Sequence, residues 1–319
     1  MINAAQIESQ GASPRMIAVA PPVPAKGEAL LRIRAAALNF ADLLKAEGRY
    51  QEPEPFPFIP GLEGAGEVIE APPGSGLEPG MRVAVNWHGT LAQVMTAPPE
   101  VCVPLPDAIG MEQAAGFQIA YGTSHLALTL RAGLRAGEVL AVLGAAGGVG
   151  LTAVQIGAAL GARVIGIARG ADRLQAVRDA GADHVIDSAA CPDLRAALRD
   201  LGGVDVVYDP VGDAPGLAAF GALRPGGRFL VIGFAGGKPP ALPLNHAMVK
   251  NIAIHGFYWG GYRRLDDAAL RTSLSDLFAM AADGRLAPLA QETLPLDRVS
   301  EGFDRLRARA STGKVVITL

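Results

Sequence analysis

Between Val139 and Gly150 an apolar run ends in four glycines, Gly144, Gly147, Gly148 and Gly150, and then continues as an apolar helix-like segment. The pattern reads as a buried strand, a tight turn and a helix N-terminus. Without Cβ atoms the turn lets backbone N–H groups close on a pyrophosphate, and the unpaired amides and dipole of the helix favour its negative charge. A dinucleotide is the ligand this predicts. The usual spacing puts glycine where Ala145 stands, so the match is Ala145, Gly147 and Gly150 with Gly148 added, and it needs support from its surroundings.

The same stretch has one rival reading. From Val139 to Ala162 no residue is charged, a length that meets the roughly 20 residues needed to cross a bilayer. The clustered glycines, each costing a helix about 1 kcal/mol, and Thr152 and Gln155 in the second half favour a strand and helix inside a water-soluble core.

At 319 residues the chain exceeds what one core normally supports, so two domains are expected. The net charge is −3 and the basic residues are scattered, which argues against nucleic acid or a membrane as partner and for a small molecule. Cys102 and Cys191 lie far apart without Cys-x-x-Cys spacing, so neither a disulfide framework nor structural zinc is indicated. Cys102 reads as a small core residue. The N-terminus has no secretory signal pattern; a cytoplasmic location is expected.

Apolar runs at Val139–Leu143, Arg163–Ala168, His184–Ile186, Val204–Tyr208, Arg228–Ile232 and Ile252–Gly256 alternate with helical segments, the order of a parallel α/β sheet. Gly161 and Gly181 close helices, Asp172 reads as a cap, Pro192 opens a helix at its first position, and Pro225 to Gly227 forces a turn before the fifth strand. The first third is different: short alternating segments at Ala29–Ala36, Gly64–Ala71 and Met81–Val85, broken by prolines, predict an irregular antiparallel β domain. Asp266–Leu319 holds two amphipathic helices and the strand-like Lys314–Thr318, folding back on that domain. The expected division is 1–117, 118–257 and 258–319.

Five segments, Ala36–Leu44, Phe58–Gly66, Ala145–Gly150, Gly181–Asp187 and Val206–Gly212, together resemble the zinc-independent quinone oxidoreductases of the medium-chain dehydrogenase/reductase superfamily. The resemblance implies an α/β protein with a GroES-like irregular β catalytic domain built from both chain ends. A Rossmann domain, a doubly wound parallel six-stranded sheet, is inserted between them, with NADPH as cofactor and an active-site cleft. In the zinc-dependent branch a ligand histidine stands where Leu62 is, and no cysteine lies near Asn39. Zinc wants about four N, S or O ligands; Asp42 and Glu63 alone would not hold it, so no metal is expected.

NAD-specific sheets carry an acid at the end of the second strand, whereas a 2′-phosphate needs cations. Here the strand ends in Ala168, Arg169 and Gly170, and Arg169 and Arg173 suit a phosphate. By resemblance Arg173 lies at the family's phosphate-binding lysine and Arg309 at its C-terminal phosphate-binding arginine, while Ser188 replaces an expected tyrosine. The other residues assigned to the cofactor are Ala146, Gly147, Gly148 and Val149 in the turn, Asp209, Val211, Gly233, Phe234, Phe257 and Trp259 at strand ends, and Lys314. Thr123, by resemblance, lies near the nicotinamide carboxamide.

Without a metal, an acceptor that becomes an anion needs hydrogen-bond donors. Quinones and α,β-unsaturated carbonyls suit such a site because conjugation spreads the charge to a distant oxygen. The catalytic candidates are Asn39 and Tyr50, which would orient the acceptor, and Asp42, which also reads as a brace of its helix. Tyr50 keeps two roles open, a proton donor with a pKa near 10 and an aromatic wall. Gln118, Trp87 and His88 are pocket candidates. Two alternatives stand beside the leading reading: an enoyl-thioester reductase, with Arg263 and Arg264 as the basic residues it would need, and a non-catalytic NADPH-binding redox sensor or structural protein. The exposed edge of the sixth strand predicts a homodimer.

Overall fold

The structure is a computed structural model that describes all residues except 51, 288, 290 and 309–312. Contacts divide the chain into two compact units, Met1–Ile119 with Pro288–Leu319, and Ala120–Ala287. The first opens with a hairpin, β1 (Ile2–Gln6) and β2 (Arg15–Val19). There follow β3 (Ala29–Leu38), α1 (Phe40–Ala46), β4 (Glu63–Glu70), β5 (Arg82–Val85), β6 (Val94–Ala97), β7 (Cys102–Pro104) and α2 (Met111–Ala115). Helix α3 (Gln118–Leu126) begins with the last residues of this unit and continues into the second.

The second unit runs β8 (Val139–Leu143), α4 (Gly148–Ala159), β9 (Arg163–Ala168), α5 (Ala171–Asp179), β10 (His184–Asp187), α6 (Leu194–Asp200), β11 (Val204–Asp209), α7 (Asp213–Ala222), β12 (Leu223–Val231), α8 (Leu244–Lys250), β13 (Ala253–Gly256), α9 (Tyr262–Leu265) and α10 (Asp267–Ala282). Its six strands form one parallel sheet in the order β10-β9-β8-β11-β12-β13. Every residue of β8 is buried, as expected of a central strand covered on both faces. The order reverses between β8 and β11, and in open α/β sheets ligands bind beyond the carboxyl ends of the strands at such a reversal. The uncharged stretch is therefore a strand and a helix; no described helix is long and apolar enough to cross a membrane.

The chain then returns to the first unit through β14 (Gln291–Pro295), α11 (Val299–Ala308) and β15 (Lys314–Thr318). The sheet there runs β14-β15-β3-β4-β5-β7, with β6 also paired to β3. Only the β14–β15 pair is parallel among these described ladders. Alternate residues of β3 and β15, with Val83, Val85 and Phe303, form its core, which also holds Cys102.

Four local details differ from the sequence reading. Gly170, at φ +87°, is the cap of α5, and Asp172 lies in the first turn, where its charge suits the helix dipole without capping. Asp193 caps α6 by accepting from Ala196 N–H at 2.9 Å, which leaves Pro192 before the helix. Pro225 to Gly227 lie within β12 rather than before it, looping out where the register passes from Val204↔Leu223 to Val206↔Arg228. Helices α9 and α10 belong to the second unit, so the return falls near 288 and not 258. Two contacts hold the segment there: Ser273 Oγ with His125 Nδ1 at 2.8 Å, and Tyr121 OH donating to Ala287 O at 2.7 Å.

Candidate functional site

The glycine turn follows directly from β8. Gly144 adopts φ +57°, and its carbonyl accepts from Gly147 N–H at 2.9 Å. A Cβ on Gly150 would lie 2.2 Å from Gly144 O, so the first turn of α4 closes on the loop more tightly than any side chain permits. Gly147 is the helix cap and has no side chain to satisfy the orphan amides of α4. It is exposed, and Gly148 and Val149 are half-buried, which leaves these N–H groups open to an anion. Ala145 and Ala146 are buried beside them.

Around the turn stand the other strand ends. Asp209 is buried and its Oδ1 accepts from Val211 N–H at 2.8 Å and Gly212 N–H at 2.7 Å. Burial pushes its carboxyl above the usual range against those two bonds, so Asp209 shapes the loop while the loop presents its backbone. Val211 comes within 2.9 Å of where a Gly144 Cβ would be, bringing the loops after β8 and β11 together. Gly233 donates its N–H to Asp209 O at 3.2 Å. Phe234 is exposed, Phe257 packs on Tyr262 with ring centroids 5.3 Å apart, and Trp259 is buried. Trp259 Nε1 meets no partner among the described residues, and it lies against Gly122, beside Thr123, where a Cβ would be 2.6 Å away.

At the tip of β9 Arg169 is exposed and Arg173 half-buried on α5. The neighbouring Asp187 carboxylate is held by the N–H groups of Ala189 and Gly170, which lower it below the usual carboxylate range. Two cations at the tip of β9, where NAD-specific sheets carry an acid, suit a phosphorylated dinucleotide. Arg309 lies outside the described residues.

The first unit holds a second polar centre. Lys314, opening β15, donates to Glu63 Oε1 and to Asn39 Oδ1, both at 2.7 Å. Asn39 Nδ2 donates to the same Glu63 oxygen at 3.0 Å, and Ile119 N–H to Glu63 Oε2 at 2.8 Å. Asp42 accepts from the N–H groups of Asn39 and Gly61 at 2.8 and 3.1 Å. Burial pushes the Asp42 carboxyl up to about 6, opposed by those two bonds and by Lys314 and Lys45. Asp42 therefore braces α1 against the loop before β4.

These contacts also answer the metal question. Both carboxylates are already committed to protein donors, and among the described residues no three His, Cys, Asp or Glu side chains converge. The residues do not fit zinc. Glu63 and Lys314 were not readable as partners from sequence; the one signal was that each charge opens a strand whose next residues are uncharged, and a buried charge requires a partner.

The remaining candidates spread out. Lys45 Nζ sits 5.7 Å from the Tyr50 ring centroid and pairs with Glu54 at 3.3 Å. Trp87 and His88 stack at 4.5 Å and line a cleft of about 320 Å³ with Ile2, Val19, Glu28 and Met95. Asn39, Tyr50 and Gln118 do not line it. Burial lowers the His88 imidazole below its usual range. Gln118 is fully buried, and neither of its amide atoms meets a partner among the described residues.

With the geometry in hand, known proteins supply the comparison. Residues 25–127 match the family described as alcohol dehydrogenase GroES-like domain and residues 148–275 that described as zinc-binding dehydrogenase. The quinone oxidoreductase-like protein 2 homolog of Nematostella vectensis is 35% identical over 294 residues, spanning 89% of this chain and 80% of that protein. The quinone oxidoreductase of Thermus thermophilus, solved also in complex with NADPH, superposes with a TM-score of 0.88 at 31% identity, covering 99% of this chain and 100% of its own. The Escherichia coli quinone oxidoreductase complexed with NADPH gives a TM-score of 0.92 at 26% identity, over 99% and 100%. The zinc in the one family's description finds no ligand set among the described residues. On this identity and coverage, the chain belongs to the quinone oxidoreductase-like family of the medium-chain dehydrogenase/reductase superfamily.

Proposed function

We propose that the protein is an NADPH-dependent oxidoreductase that reduces quinones or α,β-unsaturated carbonyls with no catalytic metal. The observation that carries this reading is the bare N-terminus of α4 behind Gly147, with Arg169 and Arg173 in place of an acid at the tip of β9. The NADPH-bound relatives support it. Gly148 and Val149 would receive the pyrophosphate, the two arginines the 2′-phosphate, and Thr123, Phe257 and Trp259 the nicotinamide end. NADPH, when bound, supplies the hydride with its two electrons. The protein's own share is to orient the acceptor and to hold the charge that develops on its oxygen, which assigns Asn39 and Tyr50 to the acceptor.

The test mixes the protein and NADPH with a panel of quinones, enones and enoyl thioesters and follows NADPH absorbance. Turnover of quinones or enones supports the reading; preference for enoyl thioesters favours the thioester reductase. Tight NADPH binding with no turnover of any acceptor leaves a non-catalytic binding protein.

A homodimer belongs to the same proposal. Strand β13 is an open sheet edge with Ile254 exposed, and Met248 and Val249 on neighbouring α8 are 73% and 75% exposed. Such an edge is a template for a second copy. Met248→Glu is expected to shift the sedimenting species from dimer to monomer; a wild-type monomer refutes the assembly.

A further inference from the structure

We propose that Lys314 is a positioning residue that polarises the Asn39 carboxamide into a donor for the negatively charged oxygen of the acceptor, a role that rests on the hydride-transfer reading above. Lys314, Glu63 and Asn39 form a closed ring: ammonium to amide oxygen at 2.7 Å, amide nitrogen to carboxylate at 3.0 Å, ammonium to the same carboxylate oxygen at 2.7 Å. The ring fixes which way the amide faces, because an ammonium only donates and a carboxylate only accepts. It also places a positive charge on the amide oxygen, which draws electron density from the nitrogen and strengthens its remaining N–H as a donor.

That second N–H has Ala37 O as its described acceptor, at 3.4 Å, beyond the usual 2.7–3.2 Å range for such a bond. Glu63 and Lys314 are 0% and 5% exposed, whereas Asn39 is half-buried, so Asn39 is the member of the ring that a small molecule reaches. Its backbone is fixed as well, by Asp42. A buried ion pair contributes little to stability beyond what a well-packed apolar pair would give; aimed at an accessible amide, it supplies preorganised electrostatics instead.

In the reaction, an enone takes a hydride at its β-carbon and moves its π-electron pair onto the carbonyl oxygen. The enolate then accepts one proton from water to give the saturated ketone, while the nicotinamide leaves oxidised by two electrons. The Asn39 N–H holds the oxygen through the charged stage.

A double-mutant cycle on the full chain tests this. Asn39→Leu forms one arm; Glu63→Gln with Lys314→Met, changed together so that no lone charge is left buried, forms the other. Each arm is expected to lower kcat on an enone by about 100-fold, and the triple variant to be no slower than Asn39→Leu alone, because the pair acts through Asn39. In this proposal Lys314 serves Asn39 rather than the cofactor to which the sequence assigned it, so NADPH affinity, read by fluorescence, is expected to stay within about threefold in every variant, a split that simple loss of fold would not produce. Multiplying losses would overturn the inference, as would a paired variant whose NADPH affinity falls as steeply as its turnover, which would place Lys314 in the cofactor site. Should the paired variant not fold, Glu63→Gln with Lys314→Gln, a neutral pair that can still hydrogen-bond, is read in the same way: lowered kcat with NADPH affinity kept supports the inference, and unchanged kcat overturns it. An inert wild type, by contrast, would bring down the hydride-transfer reading itself.

Discussion

In the function proposed above, the glycine turn and the Lys314 ring would both hold negative charge, by opposite means. The turn uses backbone amides within one strand–turn–helix unit, so every atom it needs lies between Gly144 and Gly150 and its geometry follows from missing side chains. The ring uses side chains from three separate elements, with Lys314 and Glu63 lying 251 positions apart. The turn must therefore fail when a side chain is added, and the ring when one is taken away.

The largest effect is expected in the ring. Lys314→Met alone leaves the Glu63 carboxylate buried without its cation and is expected to lower stability by about 3–5 kcal/mol in a urea titration. Adding Glu63→Gln recovers much of that. Equal stabilities for the single and paired variants would mean that the pair is not buried as described.

This contrast also sets what the sequence made legible. The turn, the six strands and the missing acid after Ala168 were readable because each is written in contiguous residues. So was the role of Asp42 as a brace, three positions after Asn39. The partnership of Glu63 and Lys314 was not, since tertiary folding alone brings β4 and β15 beside the end of β3. Pro225 to Gly227 misled because strand β12 absorbs the turn as a bulge, and α10 because its amphipathic pattern names a buried face without naming what it packs on. Trp87 and His88, read as pocket candidates, line a cleft beside the β1–β2 hairpin.

Asp42 gives the next effect. Its folded carboxyl is raised from 3.8 to about 6, so across that window the folded state holds the proton more tightly than the unfolded chain. Stability is expected to fall as pH climbs through the window, by about 3 kcal/mol in total, and to level off above it. Asp42→Asn should lack that slope; a parallel slope in the variant would assign it to another group.

In the turn, Gly150→Ala drives a methyl into Gly144 O and is expected to cost about 1–3 kcal/mol and to abolish measurable NADPH binding. At Gly147 a Cβ meets only Gly144 O, at 3.3 Å, so Gly147→Ala should keep the fold and weaken the cofactor alone. Thermal melts and fluorescence titrations separate the two; equal losses of stability would show that the turn is not discriminating by backbone approach. The smallest effect belongs to the two cations at the tip of β9: Arg169→Ala with Arg173→Ala is expected to reduce the preference for NADPH over NADH about tenfold, measured as a ratio of dissociation constants.

The central claim is that a phosphorylated nicotinamide dinucleotide sits on the N-terminus of α4. Titrating the wild-type protein with NADPH and NADH in parallel, by quenching of Trp259 and Trp87 fluorescence, tests it most directly. The account predicts saturable binding with NADPH at least about tenfold tighter; no saturable signal with either, or a preference for NADH, would contradict it.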